Sequence, residues 1–424
     1  MREKRKHTVN SFFAGIGGFD LAFEKSGFQV NFQVENNKFC QKVLKNKWPK
    51  TELLSDIRLL KPNEIPEAKV WCGGFPCQDV SVARGSKGRK GLKGDNSGLF
   101  FPFLDLIFAN KPKVILLENV TGLLSSHEGK DFQIILKSLS DLGYGIAWRI
   151  LNSRFFGVPQ SRARVFILAV HEQPEVALST LYENKPGTVP KNLRKGFLDV
   201  SENVKSGAKV ASVAYCLAAT SGRHTGTDWS KTYVSYDAAV RRLTPVECEG
   251  IQGFPKNWTE LKDGTHNFNG ELDTYRYRSL GNAVSVPTVM WIAKRLKSVL
   301  SKPNSSHVAI LLKSLKKWPD FESKSLREFS INPRLTNPNN RIKWQSGGLV
   351  YNSQVIDIKA PQAPSKIITD KLINSIQEEV PDKRYFISKN AAVGIIRRVN
   401  SEGRTIFPPM RSALEKMINT DEIF

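Results

Sequence analysis

From Thr8 to about Val170 short apolar runs alternate with longer stretches of helical spacing, the pattern of βαβ units that feed a parallel sheet. Strands are predicted at Thr8–Phe13, Gln29–Glu35, Lys69–Cys72, Val114–Glu118 and Arg164–Val170, each ending near a loop with polar residues. In a doubly wound sheet the carboxyl ends of the strands line the ligand crevice, so these loops are expected to converge. Residues 171–240 lose the alternation and become rich in Thr, Ser, Gly and Tyr, which marks a separate, less regular region. Order returns at Val240–Pro255 and again at Tyr277–Lys297, the latter read as a strand and a helix. Beyond Leu300 the chain turns to Lys, Ser, Asn and Pro, a linker-like composition. A small module follows, with helices expected near Ser388–Val399 and Pro409–Ile418.

The 424 residues exceed what one core usually serves, so two or three domains are expected. Residues 1–170, completed by about 275–300, form the first; 171–274 form the second; 301–424 are a basic linker and a small C-terminal extension. Five scattered cysteines without a Cys-x-x-Cys pair argue against a disulfide framework and a structural zinc site, and fit a reducing cytoplasm. Asp20 and the glycines around it interrupt the apolar part of Met1–Phe23, so no leader is expected there. No run is long and apolar enough to span a bilayer, and no membrane partner is expected.

Charge adds a partner. The formal net charge is +23, from 63 basic against 40 acidic side chains, and such a field attracts polyanions. Residues 301–424 hold 20 basic and 12 acidic residues, so both parts of the chain are basic. Nucleic acid is favoured over a merely solubilising role, for which a net charge of roughly 2–8 is enough.

Candidate chemistry centres on Gly73-Gly74-Phe75-Pro76-Cys77-Gln78. It sets a thiol at the mouth of a strand end, where a proton is lost more easily than in a core, and a thiolate attacks electrophilic carbon. Alone, Cys77 reads as a small hydrophobe at a turn; its company changes that. Phe13-Ala14-Gly15-Ile16-Gly17-Gly18 gives a turn that lets backbone approach a ligand. The glycines fall at 15, 17 and 18, away from the dinucleotide fingerprint. Glu35, followed by Asn36, closes the next strand where a carboxylate accepts from ribose hydroxyls, and Asp56-Ile57 offers another carboxylate for an exocyclic amine. Together these describe an adenosine pocket. Glu118 ends an apolar run, where burial raises a carboxyl pKa. Arg162 and Arg164 alternate by two, so on a strand they share one face, able to clamp phosphate or a base carbonyl or to form structural ion pairs.

The order of these motifs, continued by Arg242-Leu243-Thr244-Pro245-x-Glu247, Gln252-Gly253-Phe254-Pro255 and Leu280-Gly281-Asn282-Ala283-Val284, resembles the bacterial and phage DNA cytosine-5 methyltransferases over residues 8–297. Two positions depart from that pattern: Ser55 stands where glycine is usual, and Asn36 where a larger residue would stack on adenine. Tyr385-Phe386-Ile387-Ser388 before a basic helix resembles a tail found on some members.

The resemblance implies a Rossmann-like S-adenosylmethionine-dependent methyltransferase fold of the α/β class, a doubly wound mostly parallel sheet with a smaller irregular target-recognition domain. It implies Cys77 as the nucleophile at cytosine C6, Glu118 as the group that relieves charge at N3 and the 4-amino group, and Arg162 with Arg164 as catalytic supports. S-adenosyl-L-methionine would be held by Phe13, Gly15, Gly17, Gly18, Glu35, Asn36, Asp56, Ile57, Leu99, Asn282 and Ala283. The target base must leave the duplex. The glycine-rich segment 81–98, with Arg84, Lys87, Arg89, Lys90 and Lys93, is expected to close over the phosphates. Gln78, Ser81, Arg84, Lys87, Arg89, Arg223, Thr225 and Lys231 are the DNA-binding candidates, the last three within the recognition region. A monomer is expected, acting on double-stranded DNA in the cytoplasm and paired with a restriction endonuclease encoded nearby. Rival readings are a nicotinamide-dependent oxidoreductase, an RNA cytosine-5 methyltransferase and a non-catalytic DNA-binding protein; metal ligands are not expected.

Overall fold

A computed structural model of the chain describes residues 7–76, 97–185, 196–223, 226–261, 272–301, 327–328, 342–351 and 354–419. Two units account for it: Met1–Asn152 with Ala163–Val189 and Thr288–Ile367, and Ser153–Arg162 with Pro190–Pro287 and Ile368–Phe424.

The first unit carries the predicted strands as β1 (Thr8–Phe12), β2 (Gln29–Val34), β4 (Val70–Gly73), β5 (Val114–Val120) and β7 (Ala163–His171), joined by β3 (Glu52–Leu54) just before Asp56 and by β6 (Tyr144–Asn152), which was not foreseen. A hairpin from the C-terminal part, β13 (Gly347–Tyr351) and β14 (Gln354–Ile358), and the short β12 (Arg327–Glu328) complete a ten-stranded sheet of order β12-β14-β13-β6-β7-β5-β4-β1-β2-β3. From β3 to β5 the pairings are parallel; from β5 outward through β7, β6 and β13 they are antiparallel. The continuous apolar run of β5 fits this central position, where both faces of the sheet are covered. Helix α1 (Gly18–Lys25) follows β1, and α2 (Lys38–Lys47) follows β2 behind an Asn37 cap whose side chain accepts from the amides of Phe39 and Cys40. Helices α3 (Phe100–Asn110) and α4 (Lys130–Asp141) follow, α4 burying Phe132, Ile135, Leu136 and Leu139 at helical spacing. Helix α5 (Pro174–Leu181) follows β7.

The second unit holds a four-stranded antiparallel sheet of order β11-β10-β9-β8, from β8 (Val200–Asn203), β9 (Ala208–Ala211), β10 (Tyr233–Ser235) and β11 (Val240–Arg242). After it, α6 (Pro245–Gln252) opens on a capping box between Thr244 and Glu247, with Pro245 in the first turn. The strand expected within Tyr277–Lys297 is corrected: the segment forms α7 (Leu272–Asn282) and α8 (Val286–Leu300), the latter counted with the first unit from Thr288 on. Gly281 serves a close approach instead, since a Cβ there would lie 2.2 Å from the Ala218 backbone. The two helices expected near the C-terminus form as α9 (Lys389–Ser401) and α10 (Pro408–Asn419). Their Ile395, Val399, Met410 and Leu414 share one apolar cluster with Tyr233 of β10 and Val240 of β11. No helix among the described residues is long and apolar enough to cross a membrane.

Candidate functional site

The turn after β1 is built from backbone conformations that ordinary residues avoid. Phe13 has φ +53°, Gly15 +57° and Gly17 +81°, and Gly17 caps α1. A Cβ at Gly17 would lie 2.4 Å from the Trp48 ring, whereas one at Gly15 would meet nothing within 4 Å. Gly17 is therefore required by packing; Gly15 borders open space. Both oxygens of Glu35 are fixed at this turn, Oε2 accepting from the Gly15 amide at 2.7 Å and Oε1 from the Asn37 amide at 2.7 Å. Burial pushes the Glu35 carboxyl above its ordinary pKa, against the pull of these backbone amides. The Asn36 amide adds a third hold on this carboxylate, which keeps acceptor capacity for a ligand hydroxyl.

Around that turn the other cofactor candidates take distinct positions. Asn36 is exposed beside Glu35. Asp56 caps the short helix Ile57–Leu59 and pairs with Arg58, whose Nη2 lies 2.6 Å from Oδ2; this hydrogen bond holds the Asp56 carboxyl below its usual range. Ile57 is buried in the main core, against which Leu99 at the start of α3 and Phe13 also pack. Asn282 and Ala283 belong to the second unit, at the end of α7, Asn282 exposed and Ala283 buried.

Glu118 lies in β5, buried, with Oε1 3.1 Å from the Nε of Arg164 on β7. The sequence offered both residues without pairing them. The antiparallel register sets Glu118 opposite Phe166, which puts Arg164 on the adjoining diagonal of the same face. Next to Glu118, the Asn119 side chain donates to the Phe75 carbonyl at 3.2 Å, a contact the motif did not reveal. Gly74 passes so close that a Cβ would lie 3.1 Å from Glu118 Oε2, and one at Gly73 would lie 2.7 Å from the Phe12 carbonyl oxygen. The Gly73-Gly74-Phe75-Pro76 segment is thus fitted between β1 and β5, directly before Cys77. Cys77 itself, with Gln78, Ser81, Arg84, Lys87, Arg89 and Thr225, lies outside the described residues.

Arg162 requires a correction. It precedes β7 and does not share a strand face with Arg164. Its Nη1 donates to the Leu217 carbonyl at 2.9 Å and to Cys216 Sγ at 3.4 Å, and its Nη2 to the carbonyls of Gly281 and Ala283 at 3.0 and 2.7 Å. Gln160, which the sequence reading left without a role, donates to the Ile251 carbonyl and to Gln252 Oε1 and accepts from the Leu217 amide. Gln252 in turn donates to the Leu280 carbonyl at 2.7 Å. Three motifs far apart in sequence interlock through these amides within the second unit. In the same unit Arg223 is exposed, and Lys231, half-buried, donates to the Arg223 carbonyl; burial lowers the Lys231 pKa.

The family model described as C-5 cytosine-specific DNA methylase matches residues 7–232 and 191–298. Type II methyltransferase M2.BsuMI of Bacillus subtilis (strain 168) is 31% identical over 311 residues, covering 70% of this chain and 76% of that enzyme. Type II methyltransferase M.Bsp6I of Bacillus sp. (strain RFL6) is 30% identical over 331 residues, 69% of this chain and 99% of that enzyme. Among solved structures, the S. pombe Dnmt2 methyltransferase matches with a TM-score of 0.53 and 18% identity over 70% of this chain and 99% of that one, a likeness of fold.

Proposed function

The chain belongs to the C-5 cytosine-specific DNA methylase family and is a DNA cytosine-5 methyltransferase of the type II restriction-modification group; on that premise we propose that it acts on a cytosine turned out of duplex DNA, through a covalent bond from Cys77 to C6. The observation that carries this reading is the approach of Gly74 to Glu118, 3.1 Å between a Cβ built there and Oε2, which ties the backbone leading to Cys77 to the strand of the candidate acid.

The Cys77 thiolate adds its electron pair to C6, the C5–C6 double bond becomes single as its electrons shift to C4–C5, and the 4-amino nitrogen with C4 and C5 forms an enamine able to attack through C5. Charge accumulates at N3 as sulfur adds, and Glu118 shares a proton with N3 and accepts from the 4-amino group, with Arg164 beside it as a fixed cation. After C5 has been methylated its proton leaves, the C6–S bond breaks and the thiolate of Cys77 is restored. Arg162 holds the two backbone segments at Leu217 and Ala283 in place.

The residues at the glycine turn fit S-adenosyl-L-methionine: open space at Gly15, a buried acceptor at Glu35 and the amino end of α1 suit a nucleoside with a charged tail. That cofactor, when bound, supplies an electrophilic methyl group. Phe13, Gly15, Gly17, Gly18, Glu35, Asn36, Asp56, Ile57 and Leu99 would hold it, and the same resemblance assigns Asn282 and Ala283 to the cofactor. We assign duplex DNA as substrate, residues 171–274 as the recognition region, and protection of DNA from a restriction endonuclease in the cytoplasm as the role. Gln78, Ser81, Arg84, Lys87, Arg89, Arg223, Thr225 and Lys231 are assigned to DNA contact.

The test is a duplex carrying 5-fluorocytosine at the methylated position, incubated with enzyme and methyl donor. A covalent adduct is expected from the wild type and none from Cys77→Ala; a wild type that methylates cytosine yet forms no adduct overturns the covalent route. Sequencing of modified DNA from expressing cells gives the recognition sequence.

A further inference from the structure

The family match ends at residue 298, yet the segment 368–419 is built into the second unit, and one contact there reaches the recognition region directly. Asp228 is an acid with 1% exposure. Its Oδ1 accepts from the Tyr233 hydroxyl at 2.7 Å, and its Oδ2 accepts from Nη2 of Arg398, on α9, at 2.8 Å. Asp228 opens the single turn Asp228–Ser230, which has no side-chain cap of its own. Its own hydrogen bonds are local, from the Ser230 amide and hydroxyl to the Thr227 carbonyl and from the Lys231 amide to the Asp228 carbonyl, and Arg398 adds a tie from a distant part of the chain. At its far side Lys231 donates to the Arg223 carbonyl, which draws the two ends of the segment 223–231 together. The guanidinium of Arg404 lies over the Trp229 ring, 5.6 Å from its centre, a second hold from the same C-terminal part. The apolar cluster beneath joins α9 and α10 to β10 and β11, so these contacts rest on a packed base.

We propose that Arg398 is a positioning residue for target recognition: through Asp228 it fixes the turn that presents Arg223 and Lys231, so that the C-terminal helix pair sets how sharply the enzyme tells its target sequence from near neighbours. The inference rests on the assignment of residues 171–274 as the recognition region. Removal of Arg398 takes from the buried Asp228 carboxylate its guanidinium donor, a loss that weakens the hold on the turn. Direct readout of base edges depends on placement, whereas the chemistry at Cys77 and Glu118 does not involve this segment.

The experiment uses the full chain, as wild type, Arg398→Ala, Arg398→Lys and Asp228→Asn, expressed in cells whose own DNA lacks cytosine methylation. Sequencing then compares methylation at the target with methylation at sites one base pair away from it. Arg398→Ala should lower that ratio by roughly tenfold, the discrimination that one good base contact supplies. With purified enzyme its KM for target DNA should rise while kcat and the KM for S-adenosylmethionine stay within about twofold, since only DNA binding is altered. Arg398→Lys should recover part of the ratio, and Asp228→Asn should resemble Arg398→Ala. A folded Arg398→Ala enzyme with unchanged ratio and unchanged KM for DNA overturns the proposal. Should that variant fail to fold, Arg404→Ala is read in its place: a lowered ratio supports the proposal and an unchanged one overturns it. A wild type that methylates no cytosine in DNA would instead sink the assigned function.

Discussion

Arg164 places its Nε 3.1 Å from Oε1 of Glu118, joining β7 to β5 at the position where the sequence put the candidate acid. If Glu118 relieves charge on the cytosine ring, Glu118→Gln should lower kcat by about 10²–10⁴-fold, the range for a positioned acid or base. Arg164→Gln should cost less, on the order of tenfold, because a hydrogen bond to a charged group contributes about 1.5–3 kcal/mol. Single-turnover methyl transfer on target duplex measures both; equal and trivial losses would remove the pair from the mechanism.

Gly15 and Gly17 separate two uses of glycine. Gly17→Ala combines φ +81° with a Cβ 2.4 Å from Trp48, so it should destabilise the protein by a few kcal/mol, about 1–3 for backbone strain with overpacking added. Gly15→Ala, at φ +57° with nothing within 4 Å, should cost only about 1–2 kcal/mol. Its methyl enters the open space, so S-adenosylmethionine affinity should fall more than thermal stability. Calorimetric titration beside thermal unfolding resolves the two; loss of stability in Gly15→Ala without loss of binding would place the ligand elsewhere.

Asp20 is buried below the same turn, accepting from Gln33 Nε2 at 2.8 Å and Ser11 Oγ at 3.1 Å. Burial raises its pKa from 3.8 to about 6, against those two hydrogen bonds, with Glu24 adding a small push upward. A raised carboxyl binds its proton more tightly in the folded state, so its contribution to stability is full below pH 3.8 and is lost as pH rises to about 6. The loss is on the order of 2–3 kcal/mol. Asp20→Asn should remove this component: the stability difference between variant and wild type, from urea unfolding at several pH values, should grow in favour of the variant across that window and level off above it. A constant difference would show that Asp20 does not titrate there.

Arg241 and Glu247 form a two-pronged pair with both side chains fully buried, Nη1 to Oε2 and Nη2 to Oε1 at 2.9 Å each. Glu247 also accepts from the amides of Thr244 and Gln377. Glu247→Ala leaves a guanidinium without its carboxylate and should destabilise by about 3–5 kcal/mol, visible as a shifted urea midpoint. A shift below about 1 kcal/mol would show that water or a neighbour replaces the carboxylate.

What the sequence made legible was local. The apolar runs of β1, β2, β4, β5 and β7 marked the parallel core, and the glycines at 15 and 17 marked the turn. β6 escaped because Gly145 and Arg149 break its apolar run. Arg149 is buried and satisfied by the carbonyls of Leu181, Pro361 and Ala363, partners that no local pattern reveals. The acceptors of Arg162 at Leu217, Gly281 and Ala283 lie 55 to 121 residues away, beyond any local pattern. The segment Tyr277–Lys297 read as a strand and a helix because Gly281 among apolar residues carries no sign of the neighbouring backbone that demands it.

The hairpin β13–β14 gives one consequence for enzymes of other lengths. By pairing along β6 from Ile146 to Arg149, it turns what would be the sheet's border into its interior. A chain ended near residue 300 would leave those amides and carbonyls bare beside Trp148, a template for self-association unless another segment covers it. Shortening this protein is therefore a question of solubility before it is one of catalysis.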